Sequence, residues 1–126
     1  MLEKTLDSNN YLKFLTLVQE VRVSPEYSEV SPSEERLLNL LASAWNMDQR
    51  ITVLQAMNVD RDISHSTSHR LLKSLRLKNF IKMMTDERYT RVKYVLPTDK
   101  TNQYFTHLGR CLDRALKHKA EPALAS

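Results

Sequence analysis

One cysteine, Cys111, and one glycine, Gly109, stand in a chain of 126 residues. A lone cysteine cannot close an intramolecular disulfide or assemble a thiolate metal cluster, which excludes a disulfide scaffold and favours a reducing compartment. A lone glycine leaves no phosphate-cradling loop and no dinucleotide fingerprint, since both need several glycines at fixed spacing. Four prolines are too few for a collagen or a proline-rich linker. There is no run of eighteen apolar residues, and the opening MLEKTLDSNNYLKF carries no long apolar stretch. A membrane is therefore not an expected partner, and the expected location is the cytoplasm. Nucleophile elbows, paired-carboxylate motifs and His-Glu-x-x-His are also missing, so no catalytic residue, enzyme activity or cofactor is expected. His65 and His69 are four apart, but no Cys, Asp or Glu joins them at a ligand spacing, and no metal site is expected. Cys111 falls on an apolar face and reads as a small buried hydrophobe.

What is present is one domain's worth of chain, residues 1–126, large enough to bury about two-thirds of its unfolded surface but not to enclose a large chamber. Charge is unevenly distributed. Residues 1–60 hold five Lys/Arg against nine Asp/Glu, whereas residues 61–100 hold ten against four. A cationic stretch of this kind attracts phosphate backbones.

Tyr11, Phe14, Leu15, Val18 and Val21 step by three and four, which predicts a helix over Ser8–Arg22 with Asp7 or Ser8 as its cap. The stretch VRVSPEYSEVSPS is a connector. Ser31-Pro32-Ser33-Glu34 opens a second helix to about Trp45, with serine accepting from free amides and proline in the first turn. Ile51, Leu54 and Met57 predict a short helix over Ile51–Asn58. A polar turn leads to a helix over 64–79 whose apolar face is Leu71, Leu72 and Leu75, with Ser68 beside them, while Thr67, His69, Arg70, Lys73, Arg76 and Lys78 are left for solvent or a partner. Asn79 sits where a left-handed residue ends a helix. FIKMM and RVKYVL, separated by TDERYT, read as a hairpin over 80–96. Pro97-Thr98-Asp99 starts a last helix over 98–119, and residues 120–126 are a frayed tail.

The fold class is thus mainly α with a small β-hairpin. Helix, short helix, basic helix and hairpin, flanked by one helix on each side, is the order of a winged helix-turn-helix domain. SPSEERLLNLLAS resembles the first helix of the MarR-type regulators, ITVLQAMNVDRDIS their second helix and turn, and STSHRLLKSLRLKNFI their recognition helix and its exit into the wing. RVKYVLPTDKTNQYF is similar to the wing's return and the threonine-started helix after it. The resemblance covers residues 31–106. It implies residues 1–30 as N-terminal helix and connector, 31–97 as the winged helix-turn-helix, and 98–119 as a dimerising helix. It also implies a homodimeric regulator of transcription, by family habit a repressor, at the nucleoid, and a small-molecule effector for which no residue cluster stands out.

On that reading a helix enters the major groove of double-stranded DNA with Ser66, Thr67, His69, Arg70 and Lys73. Arg70 is the best guanine reader, because its planar fork donates to O6 and N7 together. In the competing reading Thr67 caps the helix and Arg70 pairs with Asp62 or Glu87. Arg88, Arg91 and Lys93 of the wing are expected at the backbone or minor groove. Asp86 and Glu87 argue against every tip residue meeting phosphate. For dimerisation the candidates are Tyr11, Phe14, Leu15 and Val18 with Phe105, Leu108, Leu112 and Leu116. The alternatives left open are a winged-helix module that binds protein, and a plasmid or phage replication or partition protein that binds DNA.

Overall fold

The structure, a computed structural model, describes residues 5–117. Along the chain these form α1 (Leu6–Arg22), α2 (Pro32–Asn46), β1 (Ile51–Thr52), α3 (Val53–Met57), α4 (His65–Leu77), β2 (Ile81–Thr85), β3 (Lys93–Pro97) and α5 (Asp99–Lys117). The expected frayed tail, 120–126, lies outside the described residues, as does the end of the last helix beyond Lys117. Two compact units divide the described chain: Val30–Asn102 in one, and residues up to Glu29 with those from Gln103 onward in the other. No described helix is long and apolar enough to cross a membrane.

Helix starts are set by hydroxyl caps. Ser31 accepts from the Glu34 amide while the Glu34 carboxylate accepts from the Ser31 amide, with Pro32 in the first turn. The same reciprocal box joins Thr52 to Gln55 at α3. Each box satisfies two amides that the helix leaves without partners, and the hydroxyl cap alone is worth about 1 kcal/mol. Two expectations are corrected here. α1 starts two residues early because Thr5, not Asp7 or Ser8, is its cap, and Ser8 supplies the answering hydroxyl. The short helix starts at Val53, not Ile51, because Ile51 and Thr52 are drawn into the sheet.

In the Val30–Asn102 unit, α2 packs on α4, and α4 packs on α3 and β2. The core there is Leu37, Leu38 and Leu41 of α2, Ala56 of α3, Leu71, Leu72 and Leu75 of α4, and Phe80, Ile81 and Val95 at the sheet. The sheet order is β1-β3-β2, antiparallel throughout, with Ile51 and Met83 both opposite Val95. The indole nitrogen of Trp45 donates to the Val95 carbonyl at 3.0 Å, tying α2 to the middle strand. The expected hairpin is present, with its first strand one residue later than FIKMM and its second starting two residues later and ending one later than RVKYVL.

α2 and α4 both end in a left-handed residue, Asp48 with φ 55° and Asn79 with φ 67°. At Asn79 the Phe80 amide reaches back to the Leu75 carbonyl and the Asn79 amide to the Arg76 carbonyl. This double closure turns the chain from α4 straight into β2.

In the other unit Val18 of α1 is buried, as are Tyr27 of the connector and Tyr104, Cys111 and Ala115 of α5. The Tyr27 and Tyr104 rings lie 4.7 Å apart, and His107 stands edge-on to Tyr27 at 6.1 Å. Burial raises the Cys111 thiol pKa, which keeps the thiol protonated and matches the inert role expected of it.

Candidate nucleic-acid interface

α4 is sharply two-sided. Ser68, Leu71, Leu72 and Leu75 are buried, while Ser66, His69, Arg70, Lys73 and Arg76 are exposed. Spacings of three and four bring the exposed set onto one stripe opposite the core. The helix cap is Ser64, whose hydroxyl accepts from the Thr67 amide at 3.1 Å and lies 3.2 Å from the Ser66 hydroxyl. Thr67 is therefore a first-turn residue, half-buried, and not the cap of the competing reading. That reading also fails at Arg70. Asp62 is engaged by Arg36 at 2.9 Å, and Arg70 makes no ion pair among the described residues.

Four polar fixtures hold α4 in place. Glu34, only 2% exposed, accepts from the Ser74 hydroxyl at 2.6 Å and the Lys78 ammonium at 2.7 Å, besides capping α2. Burial pushes its carboxyl pKa up, but the Lys78, Ser74 and Ser31 donors outweigh that and hold it below the ordinary range. Before α4, the Arg36 guanidinium donates to Asp60 at 2.8 Å and lowers the Asp60 carboxyl pKa, helped by the Asp62 amide. At the helix start, His65 Nε2 meets Asn58 Oδ1, and Asn58 Nδ2 donates to the Leu54 carbonyl at 2.8 Å. At the helix exit the Thr98 hydroxyl donates to the Asn79 carbonyl at 2.7 Å.

The wing tip is organised by Asp86. Its Oδ1 accepts from the Arg88 amide at 2.8 Å and the Tyr89 amide at 2.9 Å, and its Oδ2 accepts from the Tyr94 hydroxyl at 2.7 Å. The Tyr89 amide, the Tyr94 hydroxyl and the Arg88 amide, in that order, depress the Asp86 carboxyl pKa. Asp86 therefore faces the loop's own donors, which removes half of the argument against phosphate contact at the tip. Arg88, Tyr89, Thr90, Arg91 and Lys93 are all exposed. Arg50 lies over the Tyr94 ring at 5.3 Å from its centroid, next to this assembly, and sequence reading missed it. It also missed Asp86 as an organiser and the partners of Glu34. Only the Ser31–Glu34 spacing carried a signal for any of these.

The predicted cations thus fall in two groups, on the α4 stripe and on the wing. The predicted dimerisation residues lie in the other unit. Tyr11 and Leu15 of α1 are exposed, as are Leu112 and Leu116 of α5, whereas Phe14, Phe105 and Leu108 are half-buried and Val18 is interior. Among the described residues no group of three or more His, Cys, Asp or Glu stands close enough to hold a metal ion.

No family model and no curated protein sequence matches the chain. Solved structures do. The transcriptional regulator Tm0710 of Thermotoga maritima aligns over 86% of this chain and 68% of its own, with a TM-score of 0.59 at 10% identity. The YusO protein of Bacillus subtilis aligns over 91% and 73%, with a TM-score of 0.54 at 16% identity. The adhesin competence repressor of Streptococcus pyogenes aligns over 85% and 75%, with a TM-score of 0.50 at 21% identity. At such identities the likeness establishes the fold alone: the five helices and three-stranded wing sheet of the described residues are arranged as in the winged-helix fold of these structures. The resemblance drawn from residues 31–106 is borne out at that level.

Proposed function

We propose that this protein is a homodimeric, double-stranded-DNA-binding regulator of transcription, with repression as its direction. The observation that carries the reading is the α4 stripe. Five polar or cationic side chains stand exposed on one face, Arg70 is free of any ion pair among the described residues, and the opposite face is fixed in the core. A helix so presented fits the major groove, where Arg70 donates to guanine and Lys73 meets phosphate. Ser66, Thr67 and His69 flank them at the helix start. Arg88, Arg91 and Lys93 serve the backbone and minor groove beside that segment. The similar structures include a transcriptional regulator and a repressor by name, which supports the role.

Residues 31–97 act in this reading as the DNA-reading head, and the flanking helices as the dimerising element. Exposed Tyr11, Leu15, Leu112 and Leu116 would form the contact, flanked by Phe14, Phe105 and Leu108, while Val18 supports α1 from within. A two-fold pair sets two α4 helices about 34 Å apart, one turn of DNA. The reading is of a binding protein at the nucleoid, without enzymatic chemistry.

The test is fluorescence anisotropy of random duplex DNA across a salt series, with mass measured in the same buffers. A steep linear fall of log affinity against log salt, at twice the monomer mass, is the expected outcome. No binding at low salt would overturn the reading and leave the alternative of a protein-binding module.

A further inference from the structure

Tyr89 is 64% exposed in the turn that joins β2 to β3. The other tyrosines of the described fold mostly have a structural place. Tyr27 and Tyr104 are buried against each other, and the Tyr94 hydroxyl is bonded to Asp86. The Tyr89 hydroxyl has no hydrogen-bond partner among the described residues. Yet its backbone is tightly held. Its amide is bound by Asp86, its carbonyl accepts from the Val92 amide at 2.8 Å, and the Asp86 amide closes the loop on the Val92 carbonyl at 2.9 Å. Arg88 precedes Tyr89 and Arg91 follows two residues on, both exposed. A tip serving only to touch phosphate needs cations alone. A fixed loop that holds an aromatic ring in water between two arginines is built to place that ring against something flat or narrow and negatively charged.

We infer that Tyr89 senses base composition for the wing, its phenol entering the minor groove of A·T-rich DNA beside the segment read by α4, with Arg88 and Arg91 on the two walls. The inference rests on the DNA-binding reading above and deepens it. A·T pairs offer acceptors, adenine N3 and thymine O2, on the groove floor, to which a phenol donates; guanine puts its N2 amino group in that space. A·T-rich grooves are also narrower and more negative, which draws in arginine. Ring, hydroxyl and cations therefore favour the same sequences.

The experiment compares labelled duplexes of alternating dA-dT, dI-dC and dG-dC in one buffer. Inosine–cytosine pairs show an A·T-like minor groove and a G·C-like major groove, so they separate the two kinds of readout. The native protein is expected to bind both the A·T and the I·C duplex several-fold more tightly than the G·C duplex. Tyr89→Ala should level the three while keeping steep salt dependence, and Tyr89→Phe should keep the preference with lower A·T affinity. Tyr89 is exposed, so both variants should fold, which circular dichroism checks. An unchanged preference in Tyr89→Ala, equal binding of all three by the native protein, or I·C grouping with G·C would each overturn the inference while sparing the DNA reading. Absence of salt-dependent binding to all three would sink both.

Discussion

The two units handle their apolar surface differently. In the Val30–Asn102 unit, leucines 37, 38, 41, 71, 72 and 75 are all buried, and the exposed large apolar side chains, Met47, Leu54, Leu77, Met84 and Tyr89, are scattered over different elements. In the smaller unit Leu6, Tyr11, Leu15, Val23, Leu112 and Leu116 stand in water, although it has far fewer described residues. Tyr11 with Leu15, and Leu112 with Leu116, are pairs four apart, so each helix shows one continuous apolar stripe. Continuous apolar stripes on the flanking helices are surface that an assembly of copies would cover.

The largest test of this contrast is Leu75→Ala, which should cost about 2–5 kcal/mol in urea denaturation because a fully buried leucine leaves a cavity. Leu112→Ala, at a side chain 52% exposed, should cost far less in a monomer. Equal losses would show that Leu112 is not free surface in the single chain. Glu34→Gln comes next. Breaking a fully buried ion pair costs about 3–5 kcal/mol, and because Lys78 keeps partial exposure here the expected loss is about 2 kcal/mol. Glu34 has a lowered folded pKa, so its contribution is present above the unfolded carboxyl pKa and lost as pH falls through the folded one. Denaturation midpoints measured on acidification should drop less steeply in Glu34→Gln than in the native protein.

Leu112→Asp probes the other side of the contrast. Sedimentation should show monomers, with the fold of the head unchanged by circular dichroism. An unaltered dimer would move the interface away from α5. The smallest effect expected is a gain. The Ser68 hydroxyl is buried without a hydrogen-bond partner, so Ser68→Ala should raise stability by up to about 1 kcal/mol in the same urea titration. A loss there would mean that the hydroxyl has a partner in solution.

Helices were legible in the sequence because their apolar spacing and caps are local. Ser31 to Glu34, the Leu71–Leu72–Leu75 face and the left-handed Asn79 all needed only neighbouring residues to be read. β1 was not legible. Ile51 and Thr52 continue a helical pattern, and only pairing with Tyr94 and Val95, some forty residues later, makes them a strand. The site divided the same way. The α4 cations follow from periodicity, but the use of Asp86 by its own loop and of Glu34 by Ser74 and Lys78 depends on how the chain closes in space.

The Asn79 turn has a consequence for the proposed reading of DNA. It joins α4 to β2 through only three residues, and the Thr98 and Thr101 hydroxyls donate to the Asn79 and Phe80 carbonyls across it. Helix and wing therefore behave as the two jaws of a fixed caliper. For a DNA reader this means that the distance between the segment under α4 and the flank under the wing is a built-in length. One base pair inserted between them should be felt as sharply as a wrong base, while the spacing between the two halves of a dimer's target depends on the flanking helices.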